Sequence, residues 1–284
     1  MNTEDYIVKK PIKLLETSTK EVVEDAKGKL KKIRRKISKL QDTMYAEGKY
    51  GMLICLQGMD TSGKDSLIRE VFKDVNARGV EVHSFKVPTE LELKHDFLWR
   101  HYIALPAKGK IGVFNRTHYE NVLVTRVHPE YILSEKIPTI QSIDNLNDEF
   151  YHDRMERINA FENHLTKNGT IVLKFFLNLS KDEQKNRLLR RLQIPEKNWK
   201  FSSGDLKERK LWSKYMFCYE DLLNRTSKDN APWFVIPADD KPTARLLLAD
   251  IVLAEMEKYN FKEPTLSKKD TEQLADFKTQ LNNE

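Results

Sequence analysis

Gly51-Met-Leu-Ile-Cys-Leu-Gln-Gly-Met-Asp-Thr-Ser-Gly-Lys-Asp-Ser-Leu-Ile-Arg69 is the stretch whose reading decides the fold. The apolar run 52–56 reads as a buried strand. A turn holding Gly58 and Gly63 follows, and then a helical pattern with Leu67, Ile68, Val71 and Phe72 on one face. Strand, glycine-rich turn and helix form a phosphate cradle: backbone N–H groups curl round an anion and the helix N-terminus adds positive potential. Thr61 and Ser62 sit inside the turn, and Lys64 supplies a mobile charge for a terminal phosphate. The spacing Gly58-x-x-x-x-Gly63-Lys64 fits a P-loop, but Asp65 stands where a Ser or Thr usually binds Mg²⁺. A metal must therefore be held differently, by Asp60 or Ser66.

Working outward, 284 residues suffice for one large α/β domain or two small ones. A composition of 39% hydrophobic and 32% charged residues describes a water-soluble chain with long exposed helices. The formal charge of +6 favours polyanions without identifying one. Cys55 and Cys218 lack metal-ligand spacing and read as buried thiols in a reducing cytosol. The N-terminus has no apolar leader, and the most apolar late stretch, 246–256, is broken by Asp250 and Glu255. A cytoplasmic protein with no membrane span is expected.

Upstream of the cradle, 20–45 has a helical apolar pattern (Val22, Val23, Leu30, Ile33, Ile37, Leu40) backed by eight Lys and Arg between Lys27 and Lys39. That basic face is either solvated or a patch for a polyanion or a neighbouring subunit. Downstream, strands are predicted over 80–87, 111–114, 170–179 and 233–237. Helices are predicted from Pro88 through Tyr102 and over 121–128, 144–167, 181–193, 205–224 and 243–259, the last N-capped by Asp239-Asp240. Residues 261–284 are polar and expected to fray. The alternation of strand and helix predicts a parallel sheet covered on both faces, with the ligand beyond the strands' carboxyl ends. The cradle and the segment Asn115-Arg116-Thr-His-Tyr-Glu120 both follow strands and would meet there.

Several further motifs give the chain a resemblance to the polyphosphate kinase 2 family. They are Gly58-Met-Asp-Thr-Ser-Gly-Lys64, Phe85-Lys-Val-Pro-Thr-Glu90, Phe114-Asn-Arg-Thr-His-Tyr-Glu120 with Val122-Leu-Val-x-Arg126, and Lys174-Phe-Phe-Leu-Asn-Leu-Ser-Lys-Asp-Glu-Gln184. The run Pro195-Glu-Lys-Asn-Trp-Lys200 and the ending Asn224-Arg-Thr-Ser227 to Lys241 add to it. The resemblance implies a thymidylate-kinase-like, three-layer αβα P-loop kinase with a five-stranded parallel sheet and a helical lid. It implies reversible phosphoryl transfer from inorganic polyphosphate to a nucleotide with Mg²⁺ or Mn²⁺, and a basic channel for the polymer. Asn115, where many members carry Asp, resembles a subgroup that accepts both AMP and ADP, so the expected products are ADP and ATP. The expected organisation is a helical extension over 1–48, a kinase domain over 49–260 with a lid around 117–143, and a tail over 261–284, in a homo-oligomer.

The roles follow from the chemistry. Phosphoryl transfer to an ionised phosphate oxygen needs alignment and charge neutralisation rather than a strong base. Gly58, Thr61, Ser62, Gly63, Lys64 and Asp65 form the phosphate cradle. Asp60, whose carboxylate would repel phosphate without an intervening cation, is assigned to the metal, with Asn115 and Glu120. Arg116 faces the transferring group, making Asp60, Lys64 and Arg116 the catalytic set. Lys86 could reach a phosphate from the end of the second strand. Arg126 and Arg187 are lid arginines, and Arg190 and Arg191 line the polymer path. His118, His128, Trp199 and the aromatics of 205–224 read as structural. Three alternatives stand beside this reading: an ATP-dependent nucleoside monophosphate kinase, a nucleic-acid-binding P-loop protein, and a P-loop scaffold without catalysis. No nucleic acid is expected among the partners, because no aromatic residues interleave with the basic helix.

Overall fold

The computed structural model describes residues 2–199 and 201–284. Lys200, the last residue of the run quoted above, lies outside the described residues.

Five strands form one parallel sheet: β1 (Gly51–Gln57), β2 (Val80–Ser84), β3 (Ile111–Asn115), β4 (Thr170–Asn178) and β5 (Trp233–Pro237), in the order β2-β3-β1-β4-β5. β1 is buried at every position because it pairs with β3 on one side and β4 on the other. This explains why its sequence is continuously apolar rather than alternating. β2, at the sheet's edge, is only partly buried and stops at Ser84, short of the predicted Val87.

The helices in chain order are α1 (Ala26–Glu47), α2 (Lys64–Val71), α3 (Trp99–Tyr102), α4 (Glu120–Val127), α5 (Asp148–Lys167), α6 (Lys181–Gln193), α7 (Pro195–Asn198), α8 (Ser203–Lys210), α9 (Trp212–Thr226), α10 (Lys241–Glu257) and α11 (Lys268–Asn282). One face of the sheet (Met52, Ile54, Leu56, Phe175) packs against α1, α2 and α10 in an aliphatic core. The other face (Leu53, Cys55, Phe114, Phe176, Trp233) packs against α4, α5 and α9. This is the expected three-layer αβα arrangement, and both glycine turn and Asn115–Glu120 lie at the carboxyl end of the sheet.

Local chemistry accounts for the departures from the predicted helices. α1 starts at Ala26, not at residue 20, because Asp25 adopts a left-handed conformation and its carboxylate accepts from the Gly28 N–H at 3.2 Å. The predicted helix from Pro88 shrinks to α3. Glu92 accepts from the Thr89 N–H at 2.6 Å and Asp96 from the Leu98 N–H at 2.9 Å, so side chains compete for the backbone. α5 starts at Asp148 because Asn147 caps the Phe150 N–H at 2.9 Å. The single predicted helix 205–224 is two, α8 and α9, separated at Leu211. As expected, Asp240 caps α10 through the Thr243 N–H at 2.9 Å. The tail, expected to fray, forms α11, capped by Ser267, with no buried residue.

The residues before α1 form a strap rather than a loose extension. Ile7 bridges Phe234 of β5 in antiparallel fashion. Ile12 and the Asn224 side chain exchange two hydrogen bonds at 2.8 and 3.0 Å. Asn178 donates to the carbonyls of Thr17 and Ser18, both at 3.1 Å. Of the segment expected to be a lid, 117–127 belongs to the core: Thr117, His118, Tyr119, Val122 and Leu123 are buried. Only the part from Pro129 onward runs over the surface, as short 3₁₀ turns.

Candidate active site at the carboxyl end of the sheet

The cradle is built from a backbone that few residues tolerate. Gly58 and Gly63 have φ of 150° and 108°, where a side chain would be strained. Thr61 lies at φ 67°, an outlier for a β-branched residue. Such a conformation persists only where neighbours over-determine it, and α6 does so. Arg187 donates through Nη1 to the carbonyls of Thr61 (3.0 Å) and Ser62 (2.9 Å) and through Nη2 to those of Ala238 (2.6 Å) and Asp239 (3.0 Å). Its Nε donates to Glu183, and Gln184 holds the Asp60 carbonyl at 3.1 Å. Arg187, read from sequence as a lid arginine, is thus a buried clamp that ties the loop to the end of β5.

Gly63 opens α2 without a side-chain cap, so the first N–H groups of that helix are left for an anion. The half-buried Lys64 curls back, its Nζ donating to the Gly58 carbonyl at 2.6 Å. Burial makes its ammonium more acidic than an ordinary lysine's, against the opposing pull of Asp60. Ser66, the alternative metal hydroxyl, donates to the Gly63 carbonyl at 2.9 Å.

The two residues that depart from the common P-loop pattern are partners. Asn115 Nδ2 donates to Asp65 Oδ1 at 2.7 Å and to Ser84 Oγ at 3.3 Å. The carboxylate usual at the end of the third strand has in effect moved across to the start of α2. The Asn115 amide oxygen is buried and has no protein partner among the described residues.

Arg116 follows in a left-handed conformation, φ 59°, and its guanidinium meets Asp60 Oδ1 at 3.1 Å. Burial opposes its charge, but Glu120 and Asp60 outweigh it and hold Arg116 more firmly protonated than usual. The turn behind Arg116 is fixed from below by a sealed network. Gln57 donates to Thr117 Oγ1 at 3.1 Å, and Thr117 Oγ1 accepts from the Tyr119 N–H at 3.1 Å. The Tyr119 hydroxyl donates to Glu162 at 2.8 Å, and His118 Nε2 pairs with the same oxygen at 3.1 Å. Lys174, fully buried in β4, reaches Glu162 at 2.6 Å and the Thr226 carbonyl at 2.7 Å. His118 is structural, as read from the sequence. Lys174 and Glu162 were not singled out: a lysine inside an apolar strand announces no partner.

Above these groups opens a cavity of about 490 Å³, walled by Asp60, Lys64, Asp65, Asn115 and Arg116 on one side and by α6, α8 and α10 on the other. Arg190 is an exposed wall residue, and Arg191 pairs with Asp205 of α8 at 3.0 Å. A smaller recess of about 40 Å³ shares Asp60, Lys64 and Arg116 and adds Glu120, Tyr215 and Tyr219. Those two tyrosines, read from sequence as core, therefore also face the site. Arg69, Asp205 and Lys241 are wall residues that sequence reasoning missed. Lys241 had one signal, its place at the end of a family-like motif.

Two expected residues lie elsewhere. Lys86 is exposed beyond β2 and lines neither cavity; its carbonyl accepts from Arg100 at 2.7 Å. Arg126 is no lid arginine: it is buried, pairs with Asp148 at 2.5 Å and Asp221 at 2.6 Å, and stacks on Phe217. For a metal, Asp60, Asn115 and Glu120 border the two cavities, yet no three His, Cys, Asp or Glu side chains among the described residues converge on one point. A Mg²⁺-like ion does not need that: it keeps waters and takes one or two carboxylates plus substrate phosphates. Asp60 and the unpartnered Asn115 oxygen fit such a partial set. Among the described residues no helix is long and apolar enough to cross a membrane.

Comparison with known proteins agrees with this geometry. A solved structure of polyphosphate kinase 2 from Arthrobacter aurescens TC1 superposes with a TM-score of 0.86 at 34% identity, covering 96% of this chain and 95% of that one. The ADP-polyphosphate phosphotransferase of Rhodopseudomonas palustris is 45% identical over 87% of this chain and 84% of its own length. The AMP/ADP-polyphosphate phosphotransferase of Meiothermus ruber is 44% identical over 79% of each. A model of the family described as Polyphosphate kinase 2 (PPK2) matches residues 20–264. A P-loop facing a cation-rich cavity, on a chain matched over most of its length, places this protein in the polyphosphate kinase 2 family.

Proposed function

We propose that this chain transfers phosphoryl groups reversibly between inorganic polyphosphate and adenine nucleotides, carrying AMP to ADP and ADP to ATP. The observation that carries the reading is the convergence of Lys64, Arg116 and Arg190 on one cavity beside an uncapped helix N-terminus. A site that must bring two anions together needs that surplus of positive charge. The names of the two relatives supply the substrate class.

In the forward step a terminal phosphate oxygen of the nucleotide bonds to the end phosphorus of the polymer. The terminal anhydride P–O bond breaks, and the polymer leaves one unit shorter. The attacking oxygen is already ionised, so no side chain has to remove a proton. An arriving phosphate favours the charged form of Lys64 and offsets the cost of its burial. Arg116, fixed by the turn beneath it, points its fork at the same place and exchanges Asp60 for phosphate oxygens. Asp60, with Asn115 and Glu120, would hold Mg²⁺ or Mn²⁺, which when bound would screen the repulsion between donor and acceptor. The small recess flanked by Tyr215 and Tyr219 adjoins the same three charged residues.

The test is a donor panel. Polyphosphate with AMP or ADP, no ATP and added Mg²⁺ should yield ADP and ATP, and a chelator should abolish the yield. Product formed only when ATP is the donor would instead identify a nucleoside monophosphate kinase.

A further inference from the structure

Charge is spread over this chain unevenly. Between Asp25 and Asp42 there is no acidic residue, while eight Lys and Arg lie between Lys27 and Lys39. The whole chain carries only +6, and this helix, with Asp42 and Glu47 offsetting two of its eight cations, accounts for all of it, so everything outside it is, taken together, neutral. Arg34 is bound into the fold, its Nε to Asp74 at 3.1 Å and its Nη1 to the Glu70 carbonyl at 3.0 Å. The other seven are exposed, and among the described residues their side chains make no ion pair or hydrogen bond. A solvated helix face normally mixes the two signs, because like charges at i,i+4 destabilise it. A face of one sign keeps that cost unless something anionic lies on it.

The placement of α1 says what that is. The Val23 N–H donates to Thr243 Oγ1 at 3.0 Å, which fixes the start of α1 beside the start of α10. The first residue of α10, Lys241, is a wall of the large cavity, and Arg34 anchors α1 to α2, whose Arg69 is another wall residue. The basic face therefore begins next to the cavity's cationic rim. No aromatic residue occurs from Lys20 to Met44, so there is no shelf on which a nucleic-acid base could stack. What remains is a row of flexible, unpaired cations, the arrangement that binds a plain polyanion by releasing its counterions.

We propose that the exposed face of α1 is an outer docking strip for the distal part of a long polyphosphate, the part that a cavity of about 490 Å³ leaves outside. This rests on the phosphotransferase reading above and adds a determinant of donor length. The strip tethers the polymer close to the site without touching the reacting phosphate, so it lowers KM for long donors and leaves turnover alone.

The experiment uses the full chain with Lys31, Lys32, Arg35, Lys36 and Lys39 all replaced by Gln, a residue of similar helix propensity. A companion variant replaces the four lysines by Arg. For long-chain polyphosphate at low salt the Gln variant should show a KM raised about tenfold, a shallower salt dependence and an unchanged kcat. With tripolyphosphate it should match the parent, and the Arg variant should match it with both donors. An unchanged KM for the long donor, or equal losses for long and short donors, overturns the strip. So does a loss of single-stranded DNA binding with polyphosphate binding intact. Wild-type protein inactive with every polyphosphate would refute the phosphotransferase reading instead. Direct binding of labelled long-chain polyphosphate to parent and Gln variant then still decides the strip: weaker binding by the variant supports it, equal binding overturns it.

Discussion

Two lysines within the same sheet region, Lys64 and Lys174, show what a protein can do with a desolvated ammonium. Lys174 is sealed. It has Glu162, the Tyr119 hydroxyl (2.9 Å) and the Thr226 carbonyl as partners, and no exposed surface. Lys64 is open. Its Nζ has the Gly58 carbonyl at 2.6 Å and a second carbonyl, Met59, only at 3.4 Å, and it borders a cavity. Burial lowers the proton affinity of both, opposed by Glu162 in one case and Asp60 in the other. The difference lies in saturation. A satisfied buried charge fixes geometry, whereas an unsatisfied one is completed by a ligand. The sealed network supports the turn from which Arg116 reaches the open one.

That contrast can be broken by substitution. The largest effect should be on folding. Lys174→Met leaves Glu162 a buried carboxylate without its lysine, held only by the Tyr119 hydroxyl and His118, and should cost about 3–5 kcal/mol in urea unfolding. Replacing Glu162 by Met as well should return part of the loss, since no lone charge remains. A single variant as stable as the parent would show that the network is not sealed. Lys64→Ala should do the reverse, leaving the unfolding midpoint near the parent's and lowering polyphosphate-driven ATP synthesis by roughly 10²–10³-fold. Asp60→Asn should likewise remove most of the activity without unfolding the chain. Full activity in either variant would remove that residue from the site.

The smallest effect concerns pH. Burial, with Arg187, Arg190 and Arg245 nearby, pushes the Lys241 ammonium down to about 8. Below that value the cavity keeps this cation; as pH rises through it the cation is lost. KM for polyphosphate should therefore climb a few-fold above about pH 8, and Lys241→Arg should flatten that limb because a guanidinium stays protonated. An identical pH profile for the two proteins would mean that Lys241 takes no part in anion binding.

Much of this organisation was legible in the sequence. Trp233–Pro237 and Lys181–Gln193 have the predicted bounds, and β1, its glycine turn and α2 follow from apolar runs punctuated by turn residues. The stretch before α3 was not, because Thr89, Glu92 and Asp96 bond their own backbone in ways no periodicity reveals. Residue chemistry picked out Asp60, Lys64, Asn115 and Arg116, which do converge. It misplaced Arg126, whose charge is spent on Asp221, far off in sequence, whereas Arg187 does border the cavity but as a clamp on the carbonyls of Thr61 and Ala238 rather than on a lid. Lys241 and Asp205 reach the cavity only through tertiary packing; no local pattern marks Asp205, and Lys241 is marked only by ending a family-like motif.

The strap has a consequence for how the molecule is made. Residues near Ile7 and Ile12 leave the ribosome well before their partners Phe234 and Asn224, the latter separated from Ile12 by 212 positions. Loop-closure entropy on that scale has to be met before any contact rewards it. The strap is therefore made early and is among the last segments to dock, and an unfinished polypeptide lacking β5 leaves it unattached.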